Sequence, residues 1–282
     1  MPDIKPVGAS SKINMLLHAD IGVGKTSFIG SGGKDMKILI MRPPIDHTDP
    51  IIGSGVQEMV VRNWEEVFDG LEYVRHEGHE WDWFWIDSIS LLQDIGLDDV
   101  YEGVLDRVGP VGSQARNHRQ QFGPDRGEYR VNMWRLAQWV RHCVGAGVVN
   151  LGITAHSFWW EPNNPLDELT PSCLWPWIQG KNMPSKICGM MNVVGFMETD
   201  TREVRGRKRQ VRILHTAKTE RYYAKSQFKL PDGSNVFGDG DVVNPTLPMV
   251  HKMIMAGRPN ANGKVNTPTG RRTRRRVKGA TK

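Results

Sequence analysis

Short apolar runs alternate with amphipathic stretches along the first 160 residues of the chain. "KINMLLHA" (12–19), "MKILIMR" (36–42), "WDWFWIDS" (81–88) and "VVNLGITAH" (148–156) are short and continuous enough to be buried strands. The first runs into a glycine-rich turn, and Pro43 and Pro44 stop the second. Between them, "NWEEVFDGLEYVRHE" (63–77) sets Trp64, Val67, Phe68, Leu71 and Val74 at helical spacing. Asn63, with Glu66 three residues on, resembles a capping box at its start. "EYRVNMWRLAQWVRHCV" (128–144) reads as another amphipathic helix, with Val131, Trp134, Ala137, Val140 and Val144 along one stripe. Strands alternating with helices predict a mainly parallel sheet covered on both faces. Beyond residue 190, "VVGFMETD" and "QVRILHTA" are strand-like, and the basic "TREVRGRKR" between them is centred on a glycine. They predict a β-hairpin over 193–217 that extends the sheet. The fold class is therefore α/β: a core over 1–230 that includes the hairpin, a C-terminal extension at 231–256 and a loose tail at 257–282.

Composition narrows this picture. An apolar content of 39% and ten tryptophans fit a globular chain of 282 residues with a sizeable core. "MPDIKPVGASSK" has no apolar run of signal-peptide length, and "CVGAGVVNLGITA" (143–155) is too short and glycine-rich to span a bilayer. No membrane association and a cytoplasmic setting are expected. Cys143, Cys173 and Cys188 have no metal-binding spacing and read as reduced thiols. The net charge of +6 belongs to the tail: nine Lys/Arg and no acid follow residue 256, leaving 28 bases against 31 acids before it. That tail, poor in apolar residues, is expected to be disordered. It serves either as a solubilising end or as a nucleic-acid tether, since Arg-rich runs neutralise phosphates whatever the base sequence.

"HADIGVGKTS" (18–27) follows the phosphate-loop pattern G-x-x-x-x-G-K-[ST], except that Ala19 stands at the first position. Such a loop points successive backbone N–H groups at an anion, and Asp20, Ile21, Gly22, Val23, Gly24, Lys25, Thr26 and Ser27 would form it. Gly24 allows close approach to the phosphates, Lys25 would reach the β- and γ-phosphates of ATP, and the Thr26 hydroxyl would ligate Mg²⁺. Alanine, with little side chain, is a tolerable departure where the strand turns out. The site also needs a carboxylate on a nearby strand, and Asp87 ends the apolar run of "WDWFWIDS" at the edge where α/β sheets bind ligands. Asp87 could also cap a helix beginning at "DSISLLQ"; the two roles are compatible.

Taken in order, the GKT loop, "IDS", "GITAH" and "TAKTER" resemble the RecA-like ATPases of phages. These are the single-strand-annealing or recombinase proteins of the Sak-four group, with AAA-type NTP-binding domains near them. The resemblance covers roughly residues 12–230. It implies a RecA-like P-loop core that binds Mg·ATP and works as a homo-oligomer, ring or filament, on single-stranded DNA. Hydrolysis would occur at a subunit interface in a bacterial host's cytoplasm, with a single-strand-binding protein or replication partner as a further contact. On the same ground His156, closing "GITAH", takes the place of a γ-phosphate sensor; otherwise it is a hydrogen-bonded histidine at a strand end. The following loop, "SFWWEPNNP", would meet DNA through Phe158, Trp159 and Trp160, unless these rings pack under the loop. Lys218 and Arg221 in "TAKTER" would reach the neighbouring subunit's ATP, the alternative being a solvated strand end. Arg205, Arg207, Lys208 and Arg209 at the hairpin turn, and Arg271, Arg272, Arg274, Arg275 and Arg276 in the tail, form an electrostatic footprint for nucleic acid; the turn is equally an ordinary exposed tip.

One departure from the family concerns hydrolysis. RecA-type chemistry uses a glutamate after the second strand to activate water, and here "PPIDHTD" offers Asp46, with no glutamate before Glu58. Asp46 is the candidate base, on a shorter side chain. That leaves two rivals to a DNA-dependent ATPase. One is a non-hydrolysing annealing or coating protein organised by nucleotide; the other is a different P-loop enzyme, such as a nucleotide kinase or helicase loader.

Overall fold

A computed structural model describes residues 12–108, 124–161, 172–204, 207–230 and 232–257. Its strands are β1 (Asn14–Ala19), β2 (Ile38–Arg42), β3 (Gln57–Val60), β4 (Trp83–Ile86), β5 (Asn150–Trp160), β6 (Cys173–Pro176), β7 (Val193–Val204), β8 (Arg207–His215), β9 (Lys225–Ser226) and β10 (Asp241–Val243). The helices are α1 (Lys25–Gly30), α2 (Trp64–Glu77), α3 (Ile89–Val108), α4 (Arg126–Ala146), α5 (Met183–Met190) and α6 (Leu247–Ala256). The sheet order is β10-β8-β7-β1-β5-β4-β2-β3, parallel from β7 to β3 and antiparallel at β8 and β10. The α/β class, the parallel sheet and the hairpin extension are those expected from the sequence.

The central strands are apolar throughout because helices cover both of their faces. All four residues of β4 are buried: Phe84 and Ile86 join Trp64, Val67, Leu136 and Trp139 beneath α2 and α4, while Trp83 and Trp85 face Phe28 of α1 and Leu247 and Val250 of α6. Val236, Phe237, Val242 and Ile254 also belong to this second core layer. Trp85 sits opposite Gly152 in the register, and a Cβ at residue 152 would come within 2.2 Å of its ring. Gly152→Ala is therefore expected to cost roughly 1–3 kcal/mol by overpacking, measured as a lower denaturation midpoint with an unchanged denaturant slope.

Asn63 caps α2 as expected, its side chain accepting the Glu66 N–H at 2.9 Å, but the Glu66 carboxylate accepts from the Arg62 N–H instead of closing the box. Phe68 lies at the exposed rim, edge-on to Trp64. In α4 the stripe differs from expectation: Val131 and Trp134 are exposed, and the buried face holds Asn132, Leu136, Ala137, Trp139, Val140 and Cys143. A step of three residues falls about 60° short of a full turn, so a stripe read in threes winds round the helix. The true face was also masked by Asn132, a polar residue whose Nδ2 donates to the Gln93 carbonyl at 2.8 Å.

Register places the site. Ala19 lies beside His156 of β5 and Met197 of β7, and Ile86 beside Met41 and Ile153, so these strands end along one edge. Beyond it β5 runs on to Trp160 and β7 to Val204, two arms that rise past the edge. The three cysteines are free and buried. Among the described residues, no helix is long and apolar enough to cross a membrane.

Candidate functional site

The loop after β1 turns through two conformations that favour glycine, Gly22 at φ 80° and Gly24 at φ 103°, and leads into α1. Ala19 is fully buried at the end of β1, in the core layer that also holds Phe28 and Ile29 of α1. Ile21 at the tip is 84% exposed, and Val23 packs on the core under α1. The Lys25 ammonium is drawn back under the loop, donating to the carbonyls of Ala19 at 3.0 Å and Asp20 at 3.1 Å, with His156 Nδ1 at 3.4 Å. Burial pushes its pKa down, against the opposing pull of Asp87, Asp46 and Asp20.

Asp87, at the end of β4, is 4% exposed. Its Oδ2 accepts from the Thr26 hydroxyl at 2.8 Å and its Oδ1 from Thr154. Helix capping falls to its neighbour: the Ser88 carbonyl takes the first amide bonds of α3, from Leu91 and Leu92. The loop after β2 is fastened by Arg42, which donates to the carbonyls of Pro43 and Asp46 and pairs with Glu58 at 2.8 Å. Glu58 is thereby engaged elsewhere, while the Asp46 carboxylate accepts the Ser88 N–H at 2.8 Å. Burial, then the charge of Asp87, raises the Asp46 pKa to about 6. Burial and then Lys25 lower that of His156, favouring the neutral ring.

These groups share one cavity of about 320 Å³, lined by Lys25, Thr26, Ser27, Asp46, Asp87 and His156 among others. A larger one of about 500 Å³ opens at the opposite edge, around Lys34, Lys37, Tyr73 and Asp82. Convergent chemistry, not size, singles out the first. Its donors suit Mg²⁺ with a polyphosphate: a hydroxyl and two carboxylates for a hard cation, a lysine and a glycine loop for the anion.

The remaining expected residues are scattered. Phe158, Trp159 and Trp160 do not open a loop; they continue β5, paired with β6, where alternation buries them unequally and leaves Trp159 53% exposed. Trp160 packs near Trp175 at 5.9 Å. Lys218 and Arg221 follow β8 and do not line the cavity; Arg221 pairs with Glu198 at 3.0 Å. Lys208 and Arg209 are exposed on β8, and of Arg207 only the backbone is described. Arg205, Arg271, Arg272, Arg274, Arg275 and Arg276 lie outside the described residues.

Sequence reasoning missed Thr154, which lies two positions before His156 and so on the same face of β5; that alternation could have found it. It also missed His18 beneath the loop. His18 is fully buried, its ring nitrogens bonded to Ser157 Oγ at 2.9 Å and the Tyr223 carbonyl at 2.8 Å, and burial lowers its pKa to about 4. Neutral at physiological pH, it ties β1 to the β5 arm and to the segment after Arg221.

Among solved structures, the chain is similar to the RadB recombinase, at 9% identity over 75% of this chain and 81% of that one, with a TM-score of 0.39. It is also similar to the KaiC-like protein PH0186 from Pyrococcus horikoshii OT3, at 12% identity over 83% and 90%, TM-score 0.38. A third likeness is to the flagellar accessory protein FlaH from Methanocaldococcus jannaschii, at 10% identity over 82% and 88%, TM-score 0.33. No curated protein matches. The family model described as AAA domain matches residues 11–228, which takes in the phosphate loop, Asp46, Asp87, His156 and the hairpin. The chain belongs to the AAA domain family.

Proposed function

We propose that the chain is an ATPase of phage recombinase or annealing type that binds single-stranded DNA. The observation that carries the reading is the meeting of Lys25, Thr26, Asp87, Asp46 and His156 at one cavity on the carboxyl edge of the sheet. Lys25 and the loop amides would bind the phosphates of ATP, and Thr26 and Asp87 would hold Mg²⁺, which supplies charge neutralisation when bound. Asp46 would take a proton from the attacking water, and His156 would sense the γ-phosphate. The protein would act on DNA, as a homo-oligomer with ATP at its subunit interfaces and Lys218 and Arg221 facing the neighbouring site.

The DNA surface follows from the two arms. The β5 arm carries Trp159 in the open, and the hairpin carries Lys208 and Arg209; both rise from the edge that holds the phosphate loop. Stacking on one exposed ring is worth about 1–3 kcal/mol per base. Single-stranded DNA is therefore expected to accelerate phosphate release from Mg·ATP. Trp159→Ala should weaken DNA binding by roughly tenfold with nucleotide affinity unchanged. Nucleotide binding without turnover, with or without DNA, would favour an annealing protein that nucleotide merely organises. Failure of the wild-type protein to bind single-stranded DNA at low salt would remove the recombinase reading.

A further inference from the structure

Arg212 stands in β8 two positions before Leu214, whose side chain is buried in the core layer beneath α1 and α6. Alternation along the strand puts both on that face of the sheet. Arg212 is paired with Thr199 and Leu214 with Met197, while Met197 lies beside Ala19 at the end of β1. The arginine thus leaves the hairpin just past the sheet edge, on the side where residues 20–24 fold over. Its guanidinium ends on the phosphate loop. A Cβ on Gly24 would lie 3.0 Å from its Nη1, 3.1 Å from Cζ and 3.4 Å from Nε. The backbone beneath is anchored, the Arg212 N–H donating to Asn244 Oδ1 at 3.1 Å and its carbonyl accepting the Asn244 N–H at 2.6 Å.

Arg212 is half-buried, and no acid among the described residues pairs with its guanidinium. An arginine held over a loop that already contains Lys25 adds a cation there, and the carboxylates that face Lys25, those of Asp87, Asp46 and Asp20, form no ion pair with the arginine. A bound polyphosphate would answer it, through the planar fork that suits phosphate oxygens. We propose that Arg212 is a second cationic ligand of the nucleotide, donating to its phosphates from the hairpin side of the loop within the same subunit. This rests on the nucleotide reading above. It differs in kind from the part proposed for Lys218 and Arg221, which would serve a neighbouring subunit. It also ties the hairpin that bears Lys208 and Arg209 directly to nucleotide occupancy.

The test uses the full chain and three variants: Arg212→Met, which keeps an apolar stem against the loop, Arg212→Lys, and Lys25→Ala. Thermal denaturation without ligand is compared with titrations of Mg·ATP and of inorganic triphosphate. Arg212→Met is expected to leave the ligand-free melting temperature unchanged or raised, and to weaken ATP and triphosphate alike by about tenfold or more. Arg212→Lys should recover part of that loss. If Arg212→Met binds both ligands as tightly as the wild type while Lys25→Ala binds neither, Arg212 is not a ligand and the nucleotide site stands. A lower melting temperature in the ligand-free variant would make Arg212 a brace for the hairpin and overturn the proposal. So would a loss confined to ATP, because the contact would then be with the nucleoside. Undiminished binding by Lys25→Ala would remove the nucleotide reading itself.

Discussion

Lys25→Ala is expected to reduce affinity for Mg·ATP by about 100-fold or more and to abolish hydrolysis, without unfolding the protein. Lys25 is 7% exposed, and its ammonium is held by two carbonyls, close to where an anion would enter. A charge-assisted bond in so dry a place is worth more than one at the surface. The stability effect separates this outcome from general damage. Burial lowers the Lys25 pKa, so the charged form is less favourable in the folded chain than in the unfolded one. At neutral pH the charge of Lys25 therefore costs stability, which offsets the two hydrogen bonds lost with it, and the ligand-free melting temperature of the variant should stay close to that of the wild type. Nucleotide at 100 times its Kd stabilises the wild type by about 2.7 kcal/mol, and the variant should lose this gain. Calorimetry with and without Mg·ATP reads both effects. A variant that still gains the full nucleotide stabilisation would place the anion elsewhere.

How much of this was legible depended on what kind of constraint each residue obeys. Gly22 and Gly24 answer to backbone geometry and Lys25 and Thr26 to fixed spacing, so the loop announced itself despite Ala19. Asp87 was legible because a single acid ends an otherwise apolar strand. Asp46 could be named only by its place after the second strand. What brings it to Ser88 is the clamp of Arg42 on two carbonyls and Glu58, and no local pattern encodes that clamp. The aromatic run of Phe158, Trp159 and Trp160 looked like the start of a loop because aromatic runs are silent on where a strand stops; pairing with β6 carries β5 four residues past His156. Arg212 was hidden among six arginines and lysines of one hairpin, and only register against β7 and β1 sets it over Gly24. Strand identity is local information, whereas the face and height at which a side chain leaves the sheet are not.

Asp46→Asn is expected to lower kcat/KM for ATP by roughly 10²- to 10⁴-fold, the span general-base catalysis supplies, while raising stability at pH 7.5. Both effects come from one shift. In the folded protein the Asp46 pKa is about 6, against 3.8 ordinarily, with burial as the main cause and Asp87 second. The base works only when ionised, so kcat/KM should rise as pH increases through about 6 and then level off. The asparagine variant should lack this inflection. Stability runs the other way. A carboxyl whose folded pKa lies above its unfolded one contributes fully while protonated in both states, below about pH 4, and that contribution is lost as pH rises through about 6. Above that pH the wild type holds an ionised carboxylate against Asp87, which asparagine relieves while its carbonyl can still accept the Ser88 N–H. The melting temperature of Asp46→Asn should therefore exceed that of the wild type at pH 7.5, and the gap should close between pH 6 and pH 4. Gain of stability with loss of turnover is the mark of a residue kept for chemistry at a cost to folding. If turnover survives the substitution with its pH inflection intact, the base lies elsewhere, and the raised pKa of Asp46 reflects only its burial beside Asp87.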